Sequence, residues 1–158
     1  MKSLITLIAL LWAGALQAQT LVYGLGGSSF EFTGGIPTAS IEYQFAPFRE
    51  GGRLEMGLTA SATLYGDHGL HVGVGLLNRF HLNEDWSIES TVTPGLYQDF
   101  NTEGDLGGPF EIKSELGIVR KVTETTKWSV SVSHISNAST RDRNPGANAV
   151  HIRWHKGL

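Results

Sequence analysis

The chain has 158 residues, no cysteine, 20 glycines and a formal net charge of -3. The lack of cysteine excludes a disulfide-stabilised scaffold, and the mild charge without a basic run gives no support for nucleic-acid binding. The length is that of a single domain preceded by a short targeting segment.

Residues Met1 to Ala18 have the three parts of a secretory signal peptide. Lys2 supplies a positive charge, Leu4 to Leu16 form an apolar core, and Ala18 is a small residue suited to the last position before cleavage. The alternative is a transmembrane anchor, but the apolar run is shorter than the roughly 20 residues that a spanning helix needs. The sequence therefore predicts a signal peptide over residues 1–18 and one mature domain over residues 19–158.

The rest of the chain alternates apolar and polar residues and shows no helical periodicity of useful length. The segment from Leu54 to Leu64 is the clearest, because every second residue is apolar and the residues between are polar, charged or glycine. Turn residues interrupt this alternation often enough to predict eight strands. The predicted interruptions include a loop through Gly34, Gly35 and Pro37, a turn from Pro47 to Gly52, and a long loop from Gln98 to Pro109.

An even number of strands with one apolar face is typical of a transmembrane β-barrel, which turns that face toward lipid and its polar face inward. A spanning sheet must close, because unpaired backbone groups are costly in hydrocarbon. Aromatic residues near strand ends, such as Trp86 and Trp128, fit the interfacial girdles of these barrels. We therefore predict an all-β fold, an eight-stranded antiparallel transmembrane β-barrel whose interior is filled by side chains. The charged residues expected to point inward carry both signs: Glu42, Arg53, Glu55, Glu89, Lys113, Glu115 and Arg153.

The alternative fold is a soluble sandwich or lipocalin-type barrel, in which the apolar face would line the core and the charged face would meet water. The membrane interpretation is favoured because the predicted inner face is rich in glycine, serine and threonine, which suits a narrow lumen. Loop lengths also tend to alternate between short and long, with the short turn at Gly66 as the exception. With a periplasmic N-terminus, the odd-numbered strands would run outward.

The candidate chemistry lies between Trp128 and Trp154. The first strand of this stretch puts His134 and Ser136 next to each other on its apolar face, near the strand's end. A loop rich in turn residues follows, and a second strand returns with Asn148 on its apolar face. If the two strands pair, a hydroxyl, an imidazole and an amide share one patch, as in a Ser-His-X hydrolase. The alternative is a strand end that reaches the headgroups, where polar residues are ordinary.

Two motifs in this stretch resemble the PagL family of outer-membrane lipid A 3-O-deacylases. They are His134-Ile135-Ser136-Asn137-Ala138 and Asn144-Pro145-Gly146. The resemblance implies that Ser136 is the nucleophile and that His134 is its general base. It also implies that Asn137 and Asn144 are linked to the oxyanion site.

The third triad position departs from the family, which has a glutamate where this chain has Asn148. An amide can accept a hydrogen bond from the imidazole and hold its orientation, but it cannot neutralise the imidazolium that forms during attack. In a serine protease, replacing the triad carboxylate by its amide lowers turnover about ten-thousandfold. Asp142 is the nearest carboxylate in the loop, and Asn148 is the residue expected to orient His134.

The resemblance implies lipid A, in lipopolysaccharide, as the substrate and the outer membrane as the location. Arg141 and Arg143 would meet lipid A phosphates as charge-assisted partners, or remain solvated loop charges. No cofactor, metal or nucleic-acid partner is expected, and the sequence leaves a homodimer open. The rival functions are a non-catalytic barrel with a structural or adhesion role and a soluble periplasmic lipid binder.

Overall fold

A computed structural model describes residues 19–31 and 33–158, so the predicted signal peptide lies outside the described residues. The described chain is nearly all strand, as the alternation predicts, with one 3-10 turn at Thr102–Gly104. It contains no helix long and apolar enough to cross a bilayer. The strands are β1 (Thr20–Phe30), β2 (Gly34–Gln44), β3 (Arg49–Gly51), β4 (Leu54–Tyr65), β5 (Gly69–His81), β6 (Trp86–Asp99), β7 (Phe110–Thr123), β8 (Thr126–Ser136) and β9 (Ala147–Gly157).

The eight long strands form a closed antiparallel barrel. Neighbours in sequence pair with each other from β4 to β9, β9 pairs with β1, and β1 pairs with β2. Pairing between β2 and β4 closes the ring, while the three-residue β3 adds only to one end of β4. The eight-stranded prediction is therefore confirmed, and the ninth strand is a short extension within the predicted turn from Pro47 to Gly52.

The two faces of the wall follow the alternation. On β4, Thr59 and Thr63 point inward and are fully buried, whereas Leu58 and Leu64 on the other face are exposed. The same division holds on β9, where Arg153 is buried and Val150 is exposed. A barrel with an apolar outer wall and a polar filled interior is stable only when the outer wall meets lipid.

Two predictions about the wall are wrong. Gly34, Gly35 and Pro37 were expected in a loop but belong to β2, which pairs with β1 from Gly34 onward. Proline is tolerated there because the pairing of β2 with β4 begins only at Thr38, so one edge of this segment is open. Arg53 was expected to point inward, but it lies exposed in the turn between β3 and β4.

Charged side chains fill the middle of the barrel. Arg153 binds Glu42 at 2.8 Å and Glu115 at 2.9 Å, and its guanidinium lies 3.7 Å from Glu89. Lys113 pairs with Glu115 at 2.9 Å. Because these buried charges are paired with charges of opposite sign and hydrogen-bonded, the lumen is a packed polar core.

The barrel end that carries the 100–109 and 137–146 loops is closed by an apolar cluster. Leu106, from the 100–109 loop, is almost fully buried in it. Tyr65 and Tyr97 are also buried there, with their rings 6.3 Å apart. The full cluster is Phe30, Ile36, Tyr65, Tyr97, Leu106, Ile135, Ala147 and Ala149. This cap fixes the base of the 137–146 loop, which connects the two strands of interest.

Candidate active site

The β8–β9 hairpin determines which residues can meet on the lipid-facing wall. Ile135 is buried in the apolar cap, so its neighbours His134 and Ser136 lie on the opposite, outer face. The register places Asn148 of β9 directly opposite His134. Cross-strand partners of this kind have Cβ atoms roughly 5 Å apart, which is close enough for their side chains to interact.

The His134 and Asn148 side chains are hydrogen-bonded, with 2.9 Å between Nδ1 and Oδ1. An amide oxygen can only accept, so this contact puts the ring hydrogen on Nδ1. In the neutral imidazole with this tautomer, Nε2 is the acceptor nitrogen that a general base requires. Nε2 lies on the side of Gly146, where an added Cβ would come within 3.3 Å of it and within 2.9 Å of Cε1.

Ser136 is the last residue of β8 and is half-buried. Its cross-strand partner on β7 is Ile112, whereas the partner of His134 is Ser114. Ser136 therefore lies two residues nearer the loop than His134, on the same face. Within residues 19–31 and 33–158 no hydrogen bond joins Ser136 to His134. Such contacts are often long without substrate and tighten in the Michaelis complex.

Asn137 points away from the outer wall and is fully buried beneath its loop. Its Nδ2 donates to the carbonyl oxygens of Leu106 at 3.2 Å and Arg143 at 2.8 Å. Both amide hydrogens are therefore used to join the 100–109 and 137–146 loops. The Asn137 side chain braces the site and has no free donor in this arrangement.

Asn144 holds the backbone of Asn137 in place. Its Oδ1 accepts from the Asn137 N–H at 3.0 Å, and its Nδ2 donates to Ser139 Oγ at 3.4 Å, leaving one amide hydrogen uncommitted. Ala138 and Ser139 have φ angles of 53° and 60°, the left-handed conformation that non-glycine residues rarely adopt. Backbone strain of this kind often accompanies functional sites, and here it directly follows Ser136 and Asn137.

The two loop arginines differ in their surroundings. Arg143 is paired with Asp105, and its second guanidinium nitrogen lies 3.9 Å from Glu31. Arg141 is exposed and lies against Gly108, and it has no ion-pair partner among the described residues. Only Arg141 therefore presents an uncompensated positive charge at the loop surface.

A shallow depression of about 650 Å³ runs along the outer wall beside this site. His134 and Asn148 line it together with residues that sequence reasoning did not select, among them Ser29, Ser114 and Gly27. Other missed contributors are Asp105 and Leu106, which brace the loop. No local pattern identifies these two, whereas Gly146, which lies beside the His134 ring, belongs to the Asn-Pro-Gly motif that the sequence singles out. No cluster of three or more metal-binding side chains occurs in the described part of the chain.

Comparison with known proteins gives a consistent result. A family model described as Lipid A 3-O-deacylase (PagL) matches residues 10–156. The crystal structure of the outer membrane enzyme PagL is similar in fold, with a TM-score of 0.69 and 15% identity over 88% of this chain and 99% of that chain. No curated protein matches the chain.

Two other barrels share the architecture at lower similarity. Neisserial surface protein A has a TM-score of 0.55 and 9% identity, over 89% of this chain and 96% of its own. A de novo designed transmembrane β-barrel has a TM-score of 0.53 and 11% identity, over 89% and 95%. Identities this low support the fold alone, whereas the family match spans almost the whole sequence. The chain thus belongs to the PagL family of lipid A 3-O-deacylases and is an outer-membrane protein.

Proposed function

We propose that the protein is an ester hydrolase that removes the acyl chain at the 3 position of lipid A, using Ser136 as nucleophile and His134 as general base. The observation that carries the proposal is the environment of His134. Its ring is on the lipid-facing wall, its Nδ1 is held by Asn148, and Ser136 follows on the same face. Membership of a deacylase family supports the same reaction.

In the first half of the reaction, His134 Nε2 takes the proton of Ser136 Oγ as the oxygen attacks the ester carbonyl carbon. A C–O bond forms, and the carbonyl electron pair moves onto oxygen to give a tetrahedral oxyanion. Collapse of this intermediate breaks the bond to the sugar oxygen, which leaves with the proton from Nε2. An acyl-serine and a lipid A alcohol result.

In the second half, water replaces the sugar. His134 Nε2 takes a proton from water, the hydroxide attacks the acyl-serine carbonyl, and Ser136 Oγ leaves with that proton. A free fatty acid and the original enzyme are formed. No electron donor or metal enters this sequence of steps.

We assign the oxyanion site to Asn137 and Asn144 in different ways. Asn144 has an uncommitted amide hydrogen, so it can donate directly to the oxyanion. The Asn137 amide is engaged with two carbonyl groups, so its contribution is to hold the strained turn that follows. The backbone N–H groups of Ala138 and Ser139 in that turn are the further donors proposed.

Asn148 keeps the His134 ring in the tautomer that leaves Nε2 free, but it supplies no negative charge to the imidazolium. Arg141 is proposed as the main partner of a lipid A phosphate, because its charge is uncompensated. Arg143 is already paired with Asp105, so its role toward phosphate is secondary. A site on the outer wall suits this substrate, since the acyl chain can remain in hydrocarbon while the ester reaches Ser136.

The test is mass spectrometry of lipid A from outer membranes that contain the wild type or Ser136→Ala. We expect the wild type to remove one ester-linked chain and the variant to remove none. Ser133→Ala is the matched control, because Ser133 lies on the same strand but points into the barrel.

Each protein must first show the heat-dependent gel mobility of a folded barrel, so that loss of activity is separated from loss of folding. Identical lipid A spectra from folded wild type and folded Ser136→Ala would reject the hydrolase proposal. That outcome would favour a non-catalytic barrel.

A further inference from the structure

Four polar side chains form one row across the lipid-facing wall. Register places Ser114 of β7 opposite His134, His134 opposite Asn148, and Asn148 opposite Ser29 of β1. All four side chains are exposed and line the same 650 Å³ depression. Polar groups that face hydrocarbon are costly, so Ser114 and Ser29, which have no role in the proposed reaction, need an explanation.

Ser114 occupies the free flank of His134. The other flank is filled by Asn148, which is hydrogen-bonded to Nδ1. Within the described chain the Ser114 hydroxyl has no hydrogen-bond partner, although it can both donate and accept. A ligand that approaches His134 along the wall from the β7 side therefore meets an unsatisfied hydroxyl first.

The surroundings of Ser114 indicate which part of a lipid would reach it. Between Ser114 and the loops, the outer face of β7 presents Phe110 and Ile112, and below it presents Leu116. These apolar side chains separate Ser114 from the polar headgroup. The part of the substrate that passes over Ser114 is therefore the acyl chain.

We propose that Ser114 is a specificity-determining residue that recognises a hydroxyl group on the third carbon of the departing acyl chain. The proposal rests on the proposed function, because that function puts the ester carbonyl carbon beside Ser136 and His134. In the proposed intermediate the carbonyl carbon is bonded to Ser136, and Ser114 is the diagonal neighbour of Ser136 across the β7–β8 pair, roughly 7–8 Å away. The third carbon is two bonds from the carbonyl carbon, so an extended chain that runs toward β7 brings a hydroxyl at that carbon within hydrogen-bond reach of Ser114.

This arrangement favours hydroxylated chains over unsubstituted ones. A hydroxyl on the third carbon of a bound chain forms a hydrogen bond with the Ser114 hydroxyl. An unsubstituted chain leaves that hydroxyl facing methylene groups. A net hydrogen bond in a protein changes an equilibrium or a rate by about two- to tenfold. The same size of preference is expected between two esters that differ only in this hydroxyl.

The experiment uses the purified full chain in detergent micelles and two glucosamine 3-O-esters, one with a tetradecanoyl chain and one with a 3-hydroxytetradecanoyl chain. The wild type should cleave the hydroxylated ester about two- to tenfold faster, measured as kcat/KM. Ser114→Ala should remove this preference by slowing the hydroxylated ester alone. Ser114→Thr, which keeps the hydroxyl, should retain it.

Ser29→Ala is the matched control. Ser29 has the same chemistry and lies in the same row, but it is two strands from His134, so the substrate preference should not change. The inference is overturned if Ser114→Ala leaves the ratio of the two rates unchanged or if Ser29→Ala changes it equally. If folded wild type cleaves neither ester, the proposed function itself falls. If it cleaves both and no variant alters the ratio, only the role of Ser114 falls.

Discussion

The β8–β9 hairpin carries histidines on both faces, and their surroundings differ. On the inner face His155 is almost fully buried and shares a 2.8 Å hydrogen bond with Ser129 Oγ across the hairpin. On the outer face His134 is exposed, and its 2.9 Å contact with Asn148 leaves Nε2 free. The inner histidine completes a packed core, whereas the outer one keeps a ring nitrogen without a protein partner on the lipid-facing wall.

The same contrast extends along both walls. Inside, Arg153 and the carboxylates around it balance their charges within the barrel. Outside, the polar row that includes Ser114 and Asn148 is satisfied only in part by the protein itself. Inner polar groups are therefore expected to contribute mainly to folding and outer ones mainly to chemistry, which can be tested by substitutions on each face.

The largest effect is expected from exchanging the two histidines separately for glutamine. His134→Gln should lower deacylation by about 100- to 10,000-fold, because it removes the proposed general base, while leaving the free energy of unfolding nearly unchanged. His155→Gln should retain activity but lower the free energy of unfolding by about 1–3 kcal/mol, because it disturbs a buried hydrogen bond. Activity on purified lipopolysaccharide and urea unfolding in lipid vesicles measure the two quantities. If His155→Gln lost activity while remaining folded, the division between the two walls would fail.

Arg153→Met tests the inner wall alone. The substitution leaves Glu42, Glu89 and Glu115 without their shared cation and should lower the free energy of unfolding by about 3–5 kcal/mol. Arg120→Met is the control, since Arg120 is exposed and lies 5.6 Å from the centre of the Trp86 ring. That change should cost about 0.5–1 kcal/mol. Equal urea midpoints for the two variants would contradict the view of the lumen as a charge-matched core.

Asn144→Asp separates bracing from oxyanion stabilisation at the outer site. An aspartate can still accept from the Asn137 N–H and can accept from the Ser139 hydroxyl in place of donating to it, but it has no amide hydrogen to donate to an oxyanion. If Asn144 donates to the oxyanion, kcat should fall by about 100- to 1,000-fold. Protease resistance of the 137–146 loop should stay unchanged, as a check that the brace is intact. A variant with near-normal kcat would limit Asn144 to holding the loop.

Sequence alternation predicted most of the barrel because it reports directly on which face meets lipid. It assigned Thr59 and Leu58 to opposite walls and placed His134 and Asn148 where pairing could bring them together. It failed at Gly34 to Pro37, because turn-forming residues are tolerated in a strand that is open on one edge.

The contacts that hold the site in place were harder to predict from the sequence. Alternation directs Asn137 away from the outer wall, but it does not reveal that the Asn137 side chain joins two loops. Its bond to Leu106 joins positions 31 residues apart. Contacts between two irregular loops follow no period, so neither composition nor spacing could have indicated them.

The smallest change, Asn148→Asp, tests how far the outer site depends on a neutral orienting group. A carboxylate would accept the same hydrogen bond from His134 Nδ1 and also stabilise the imidazolium formed during attack. We expect kcat to rise about tenfold or more, measured as fatty acid released from lipopolysaccharide. Asn148→Ala, which can neither accept nor neutralise, should fall below the wild type.

An increase would mean that the amide limits the chemical step and that the wild type works with an incompletely stabilised base. No increase would mean that formation of the imidazolium does not limit the rate and that another step, such as the seating of the acyl chain beside Ser114, does. The two results therefore distinguish a rate limited by the neutral Asn148 side chain from a rate limited by a step in which Asn148 takes no part.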